Sequence, residues 1–345
     1  LNCKNNEAVV LHSGSNMFYI SGYKGEGLIA IANNFKVIIT DFRYTEQAEN
    51  EAPDFEVLMI DNIKNHNDLL ADILKSNNIT KIYFEDDVVS LKDYKELKKT
   101  IENVELESLN QAPQQLRVIK DAQEVDNIKK ACKITSDSLR ELLPYIKEGE
   151  SEIALTARLE YILKTKGSNG SAFNTICAAG ANGSLPHAVP SEYRVKKGDM
   201  ITFDFGAKFN GYCADMTRTL AVGTPSDTML NVYNVVKQAQ FMAREFLKAG
   251  VICKDVDAVA RDYICAQGFE GRFGHGLGHS LGIDIHEEPR FNTKTNTLAL
   301  ENSLMTVEPG IYLPGIGGVR IEDTCFVTKE GNIPFTDFDR ELIIL

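Results

Sequence analysis

Two stretches of this chain, about a hundred residues apart, present the same signals in the same order, and this recurrence limits the fold more than any other feature. Gly149 and Gly250 lie 101 residues apart, as do Gly167 and Gly268. Thr202-Phe-Asp204-Phe-Gly206 returns as Thr306-Val-Glu308-Pro-Gly310 at an offset of 104, and Asp215-Met-Thr217 as Glu322-Asp-Thr324 at 107. The elements between these marks repeat too. Asp121 with Glu124 forms a capping-box signal ahead of an apolar face of Val125, Ile128, Cys132, Leu139, Leu142 and Ile146, with Pro144 set to kink or end the helix. Ser151 caps a shorter helix ending at Gly167; Ser226 opens a helix ending near Gly250, and Lys254–Gln267 a shorter one ending at Gly268. Each half therefore reads as two helices and a two-stranded unit carrying two acids. One half-domain has been duplicated.

The first two-stranded unit is Ile201–Leu220, ITFDFGAKFNGYCADMTRTL. Asn210-Gly211 suits the positive φ angles of a tight hairpin turn. That turn sets Phe209 against Tyr212, Asp204 against Thr217 and Asp215 against Gly206, with both acids on one face as diagonal neighbours. A one-residue bulge would send them to opposite faces. Acids inside apolar strands are costly unless something positive lies between them, although an exposed hairpin face accounts equally well for this pair alone. Duplication changes the balance. Asp204, Asp215, Glu308 and Glu322 occupy equivalent places in two halves that face each other, and four converging carboxylates call for divalent cations.

Three of the six histidines fall within twelve positions, in His275-Gly-Leu-Gly-His279-Ser-Leu-Gly-Ile-Asp-Ile-His286-Glu-Glu-Pro289. His275 and His279 have helical spacing, yet no Glu follows His275 as a zinc-protease HExxH motif requires. Gly274, Gly276, Gly278 and Gly282 argue against a helix and for a backbone in close approach to another element. Neutral imidazoles clustered there serve as ligands or proton carriers.

With these residues in view, the sequence resembles the pita-bread metallopeptidases, in the proline-specific branch of Xaa-Pro aminopeptidases and Xaa-Pro dipeptidases (prolidases). Asp-Phe-Gly, Ala-Asp-Met-Thr-Arg-Thr, HGLGHSLGIDIHE, TVEPGIY and GVRIEDT stand in family order within Gln111–Leu345. The resemblance implies an α/β (α+β) chain with a small creatinase-like N-terminal domain over 1–112, followed by a pseudo-twofold pita-bread catalytic domain over 113–345. It implies five metal ligands: Asp204 chelating one ion, Asp215 and Glu322 bridging two, and His279 and Glu308 completing the second site. His187, His275 and His286 match substrate-binding or proton-transfer positions, and Arg320 a supporting or substrate-binding one. All five ligands are retained, unlike in creatinase, which shares the fold without metal. The expected reaction is attack on the scissile carbonyl by a metal-bridging hydroxide, with His275 or His286 stabilising the oxyanion and Glu308 shuttling the proton. Oxygen-rich ligation suits two Mn2+ ions, with Co2+, Zn2+ or Fe2+ as alternatives.

Two readings of specificity stand side by side. The first is an Xaa-Pro aminopeptidase, which the Asp41-Phe-Arg-Tyr-Thr-Glu-Gln-Ala48 segment and general similarity favour. The alternative is a prolidase restricted to dipeptides, in which Arg290 holds the substrate carboxylate. Methionine aminopeptidases generally lack the front domain, and a non-catalytic peptide-binding scaffold would have lost ligands. A homodimer is expected by resemblance.

Residues 1 to about 110 read as a small α/β unit with no phosphate loop or ligand cluster. Its strand candidates are Ala8–Leu11, Met17–Ile20, Leu28–Ala32, Lys36–Thr40 and Lys81–Glu85, with helices at Asn67–Lys75 and Leu91–Thr100. Asn110–Gln115 is the candidate linker. Its expected role is to cover the second domain, support a dimer or narrow access to a site. A net charge of −12 argues against nucleic acid or an anionic membrane as partner and suits a site that holds cations; proline-containing peptides are the expected substrates. No apolar run is long enough to span a membrane, and the N-terminal residues lack signal-peptide regions. Seven scattered cysteines without a CxxC pair fit a reducing cytoplasm.

Overall fold

The computed structural model describes residues 4–345, which divide after Arg117 into two compact units, the second running Val118–Leu345. Cys3 lies outside the described residues. In the first unit, a six-stranded mixed sheet runs in the order Glu56–Met59, Phe35–Thr40, Leu28–Ala32, Glu7–Leu11, Lys81–Phe84 and Glu105–Ser108. One face packs Leu70, Leu74 and Leu97 from two helices, and the other packs Met17, Tyr23 and Ala48. Asn110–Gln115 is not an open linker. It enters a short helix, Ala112–Leu116, and buried Arg117 donates from Nη1 to Asn16 Oδ1 at 2.8 Å, so the unit ends at Arg117 rather than at residue 112.

The strand expected at Met17–Ile20 is instead part of the helix Gly14–Ser21. Ser13 caps its start, Gly22 ends it with φ 83°, and buried Glu85 accepts from the N–H groups of His12 and Ser13 and from Asn16 Nδ2. Four apolar residues do not distinguish strand from helix by period; the caps and a distant carboxylate decided it.

In the second unit both expected helix pairs are present. Ala122–Leu142 carries the Asp121/Glu124 capping box and continues as one 3-10 turn at Pro144; Glu152–Thr165 follows behind its Ser151 cap. Asp227–Phe246 is capped by Ser226, and Cys253–Ile264 runs into a final turn where Gly268 has φ 85°. These helices pack in pairs, the first with the second and the third with the fourth. No helix among the described residues is long and apolar enough to cross a membrane.

The acid-bearing hairpins lie between and after these pairs. Met200–Phe205 and Ala207–Phe209 pair antiparallel with Met216–Ala221 and Tyr212–Cys213. Phe209 stands against Tyr212 and Asp204 against Thr217, the expected register, with Asn210 at φ 49° and Gly211 at φ 90° in the turn. The register is the same on both sides of the break at Gly206, so no bulge separates the acids. A Cβ on Gly206 would lie 1.7 Å from the Ala214 carbonyl oxygen, and only glycine lets the strands approach there. In the second half, Leu304–Val307 pairs with Asp323–Val327 and Gly310–Leu313 with Gly317–Arg320, again in one register, which sets Glu308 directly opposite Glu322. The halves meet where Glu322 N–H donates to the Thr217 carbonyl at 3.1 Å and Thr324 Oγ1 to the Asp215 carbonyl at 2.8 Å.

Candidate metal centre

Asp204 is the penultimate residue of its strand, Asp215 sits at the gap between Tyr212–Cys213 and Met216–Ala221, and Glu308 and Glu322 occupy the gaps of the second hairpin. Strand alternation sends all four toward one cavity side of the sheets. His279 arrives from the strand Gly278–Ser280, which a β-bulge after His279 kinks against Glu287–Phe291. The glycine-rich setting is explained by contact. A Cβ on Gly278 would lie 2.1 Å from the Thr306 carbonyl oxygen, and one on Gly276 2.7 Å from that of Phe291.

One oxygen each from Asp215 and Glu322 and a ring nitrogen of His279 lie within 4.8 Å of one another. His279 Nε2 is 3.6 Å from Asp215 Oδ2 and 3.3 Å from Glu308 Oε1. Its Nδ1 is 3.0 Å from the Ser280 carbonyl, which orients the ring so that Nε2 faces the acids. Thr306 Oγ1 holds both the His279 N–H, at 2.9 Å, and Glu308 Oε1, at 3.1 Å. Buried Arg320 donates to Asp204 Oδ2 at 2.6 Å and to Tyr312 Oη at 2.8 Å; Thr217 Oγ1 donates to Glu322 Oε2 at 2.7 Å.

Each of three acids thus keeps one oxygen with no partner. Asp204 Oδ1, Asp215 Oδ1 and Glu322 Oε1 are buried without any hydrogen bond. Their other oxygens face Arg320, His279 and Thr217. An unsatisfied buried carboxylate oxygen is expensive, and three of them lining one site, two on acids grouped with the His279 imidazole, fit hard divalent cations better than a hydrogen-bonded network. The electrostatics agree. Burial, and then the charges of neighbouring acids, push the Asp215 and Glu322 carboxyls well above the usual range. Burial also acts upward on Glu308, but the hydrogen bond and charge of His279 outweigh it and hold that carboxyl at about 2.

The cavity beside these groups has a volume of about 700 Å³. Asp204, Asp215, His279, Glu308 and Arg320 line its floor, and His187, His275, His286 and Arg290 its sides. Every residue singled out from the sequence, apart from the deeper Glu322, reaches it. His286 is exposed and meets the His279 ring edge-on at 4.5 Å. His187 is also exposed, on the loop before Ala188, and Arg290 pairs loosely with Glu288 at 3.2 Å. His275 is more constrained, with Nδ1 2.8 Å from the Gly276 carbonyl and Nε2 2.8 Å from Tyr312 Oη.

Comparison with known proteins decides the family. The metallopeptidase family M24 model matches residues 126–329, and the creatinase/prolidase N-terminal domain model matches residues 1–119. The chain belongs to metallopeptidase family M24. This M24 chain is similar to an Xaa-Pro dipeptidase from Bacillus anthracis of known structure (38% identity, TM-score 0.94, covering 98% of this chain and 95% of that one). It is similar as well to an X-Pro aminopeptidase structure from Thermotoga maritima MSB8 (35% identity, TM-score 0.92, 98% and 97%). An Xaa-Pro dipeptidase from Pyrococcus horikoshii is 40% identical over 248 residues, 72% of this chain and 71% of that protein. The pita-bread fold and the metallopeptidase class are thereby established.

Sequence reasoning missed Tyr312, Thr306 and Thr217 as neighbours of the candidate site. Thr217 was legible, because the hairpin register sets it against Asp204. Tyr312 was not: its hydroxyl joins His275 to Arg320 through folding alone, and no spacing signals that contact.

Proposed function

We propose that this chain is a dinuclear-metal exopeptidase hydrolysing the bond between an N-terminal residue and proline, as an Xaa-Pro aminopeptidase. The observation that carries the metal centre is the three partnerless carboxylate oxygens of Asp204, Asp215 and Glu322, together with the grouping of Asp215 and Glu322 with His279. In this reading Asp204, Asp215, His279, Glu308 and Glu322 would hold the two ions, with manganese the favoured metal. When bound, the cations supply Lewis acidity and a water acidic enough to attack at neutral pH.

The chain's own residues do the rest. Glu308, steadied by Thr306, takes the proton from the attacking water and passes it to the leaving imino nitrogen. His286 donates to the carbonyl oxygen as charge develops there. Of the two histidines considered for that role it is the better placed, since both ring nitrogens of His275 are engaged. An Xaa-Pro amide has no N–H, so apolar walls such as Phe173, Ile176, Val189 and Ile285 select the ring by shape. His187, at the cavity lining, and Arg320, through Asp204, position the peptide and the site. A cytoplasmic homodimer completes the proposal.

The cavity, about 700 Å³, has room for substrates longer than a dipeptide. Arg290 supports the second reading, a prolidase: its guanidinium is half exposed at the cavity wall and available to a dipeptide carboxylate. Rates with Ala-Pro and Ala-Pro-Ala, measured with manganese, cobalt and zinc in turn, test both readings. Cleavage of the tripeptide is expected, and dipeptide-only activity would overturn the aminopeptidase reading.

A further inference from the structure

Behind the acids, on the opposite face of the same strands, lies a second polar cluster that the proposed chemistry does not use. Strand alternation turns Thr217 and Glu322 toward the cavity and their neighbours Arg218 and Asp323 away from it. Arg218 is 1% exposed and Asp323 0%. All five guanidinium donors of Arg218 are engaged. Nε donates to the Asp339 carbonyl at 2.8 Å, and Nη2 to Asp323 Oδ1 and the Phe338 carbonyl, both at 2.8 Å. Nη1 donates to the Thr217 carbonyl at 2.9 Å and, in a shorter contact, to the Glu322 carbonyl.

The carbonyls gripped by Nη1 belong to two of the residues through which the half-domains touch at the site. Thr217 comes from the first half and Glu322 from the second, and the Thr217 hydroxyl holds the Glu322 carboxylate. Asp323 is in turn fixed by Gln240 Nε2 at 2.7 Å, Thr336 Oγ1 at 2.7 Å, Arg244 Nη1 at 3.2 Å and Arg340 Nε at 2.5 Å. This cluster binds strands of both halves, the helix Asp227–Phe246 and the segment 336–340 to one point. That point is one residue from a proposed bridging ligand.

We infer that Arg218 is a positioning residue for the metal centre: clamped by Asp323, it sets the main chain of Glu322 against that of Thr217, so that Glu322 and Asp215 reach the same ions. Lysine does not replace it, because an ammonium offers three donors on a flexible stem in place of a planar fork of five. The inference rests on the metal-centre reading above and goes beyond it by assigning to Arg218 the alignment of the Glu322 main chain with that of Thr217.

The test is manganese binding by titration calorimetry, together with thermal unfolding, on wild type, Arg218→Lys, Asp323→Asn and Leu139→Ala. Leu139 is fully buried on the helix Ala122–Leu142 and serves as the control for general destabilisation. Arg218→Lys and Asp323→Asn are expected to weaken manganese affinity about 10- to 100-fold, the size seen when groups supporting metal ligands are lost. Leu139→Ala is expected to lower Tm with affinity unchanged. Wild-type affinity in a folded Arg218→Lys protein that has lost Tm like the control would reduce Arg218 to structural glue and overturn the inference. If Arg218→Lys does not fold, Asp323→Asn carries the same expectation and the same overturning result. Failure of wild type to bind manganese would instead strike the proposed function.

Discussion

The two acid-bearing hairpins solve one problem in different registers. In the first, Asp204 faces Thr217 and Asp215 faces Gly206, so the carboxylates are diagonal neighbours. In the second, Glu308 and Glu322 stand directly across from each other. Pairing has slipped by two residues between the copies, and since side chains alternate with a period of two, an even slip leaves every acid on the cavity face. Duplicated halves can drift in register and keep a shared site, provided they drift by even steps. The halves also hold each other's ligands. Arg320 of the second half grips Asp204 of the first, and Thr217 of the first grips Glu322 of the second.

The sharpest way to break this equivalence is to remove one bridging charge from each half in turn. Asp215→Asn and Glu322→Gln are each expected to lower kcat by on the order of 10³-fold or more and to reduce the bound metal measured by elemental analysis. Full activity in either variant after metal depletion would end the two-metal reading. Removing the metal from wild type with a chelator comes next. Cations at about a hundred times their Kd contribute about 2.7 kcal/mol, so Tm should fall on stripping and recover with manganese.

The glycines after the first acid of each pair separate the halves further. Gly206→Ala drives a methyl into the Ala214 backbone and should cost about 3 kcal/mol or more, read by denaturant unfolding. At Gly310 the added methyl meets the Tyr312 ring instead, 2.5 Å from its hydroxyl. Gly310→Ala should therefore spare more stability and lose activity through the Tyr312 contacts with His275 and Arg320. Equal stability losses would show that the copies are tighter equivalents than their neighbours suggest. The smallest effect is expected in the turn, where Gly211→Ala at φ 90° should cost about 1 kcal/mol without moving the acids.

Much of this was legible from local signals. The helix caps at Asp121, Ser151 and Ser226, the Asn210-Gly211 turn and the alternation of the strands are rules acting over a few residues, and the structure follows them. The first unit was harder to read. Met17–Ile20 lacked the length to show a period, and short strands such as Glu56–Met59 and Glu105–Ser108 gave no clear alternation. Buried, partnered groups were invisible for another reason: Lys120 and Glu287 form an ion pair at 3.0 Å across 167 positions.

The sequence by itself determined that four acids recur in two copies, that each pair shares a strand face, and that a histidine cluster accompanies them. These follow from short-range stereochemistry and from counting. Only the tertiary structure decided which oxygens remain without partners, that Tyr312 occupies His275, and that Arg218 ties Thr217 to Glu322. Those outcomes depend on how the two copies pack together, and no interval along the chain encodes the distance between surfaces that meet only after folding.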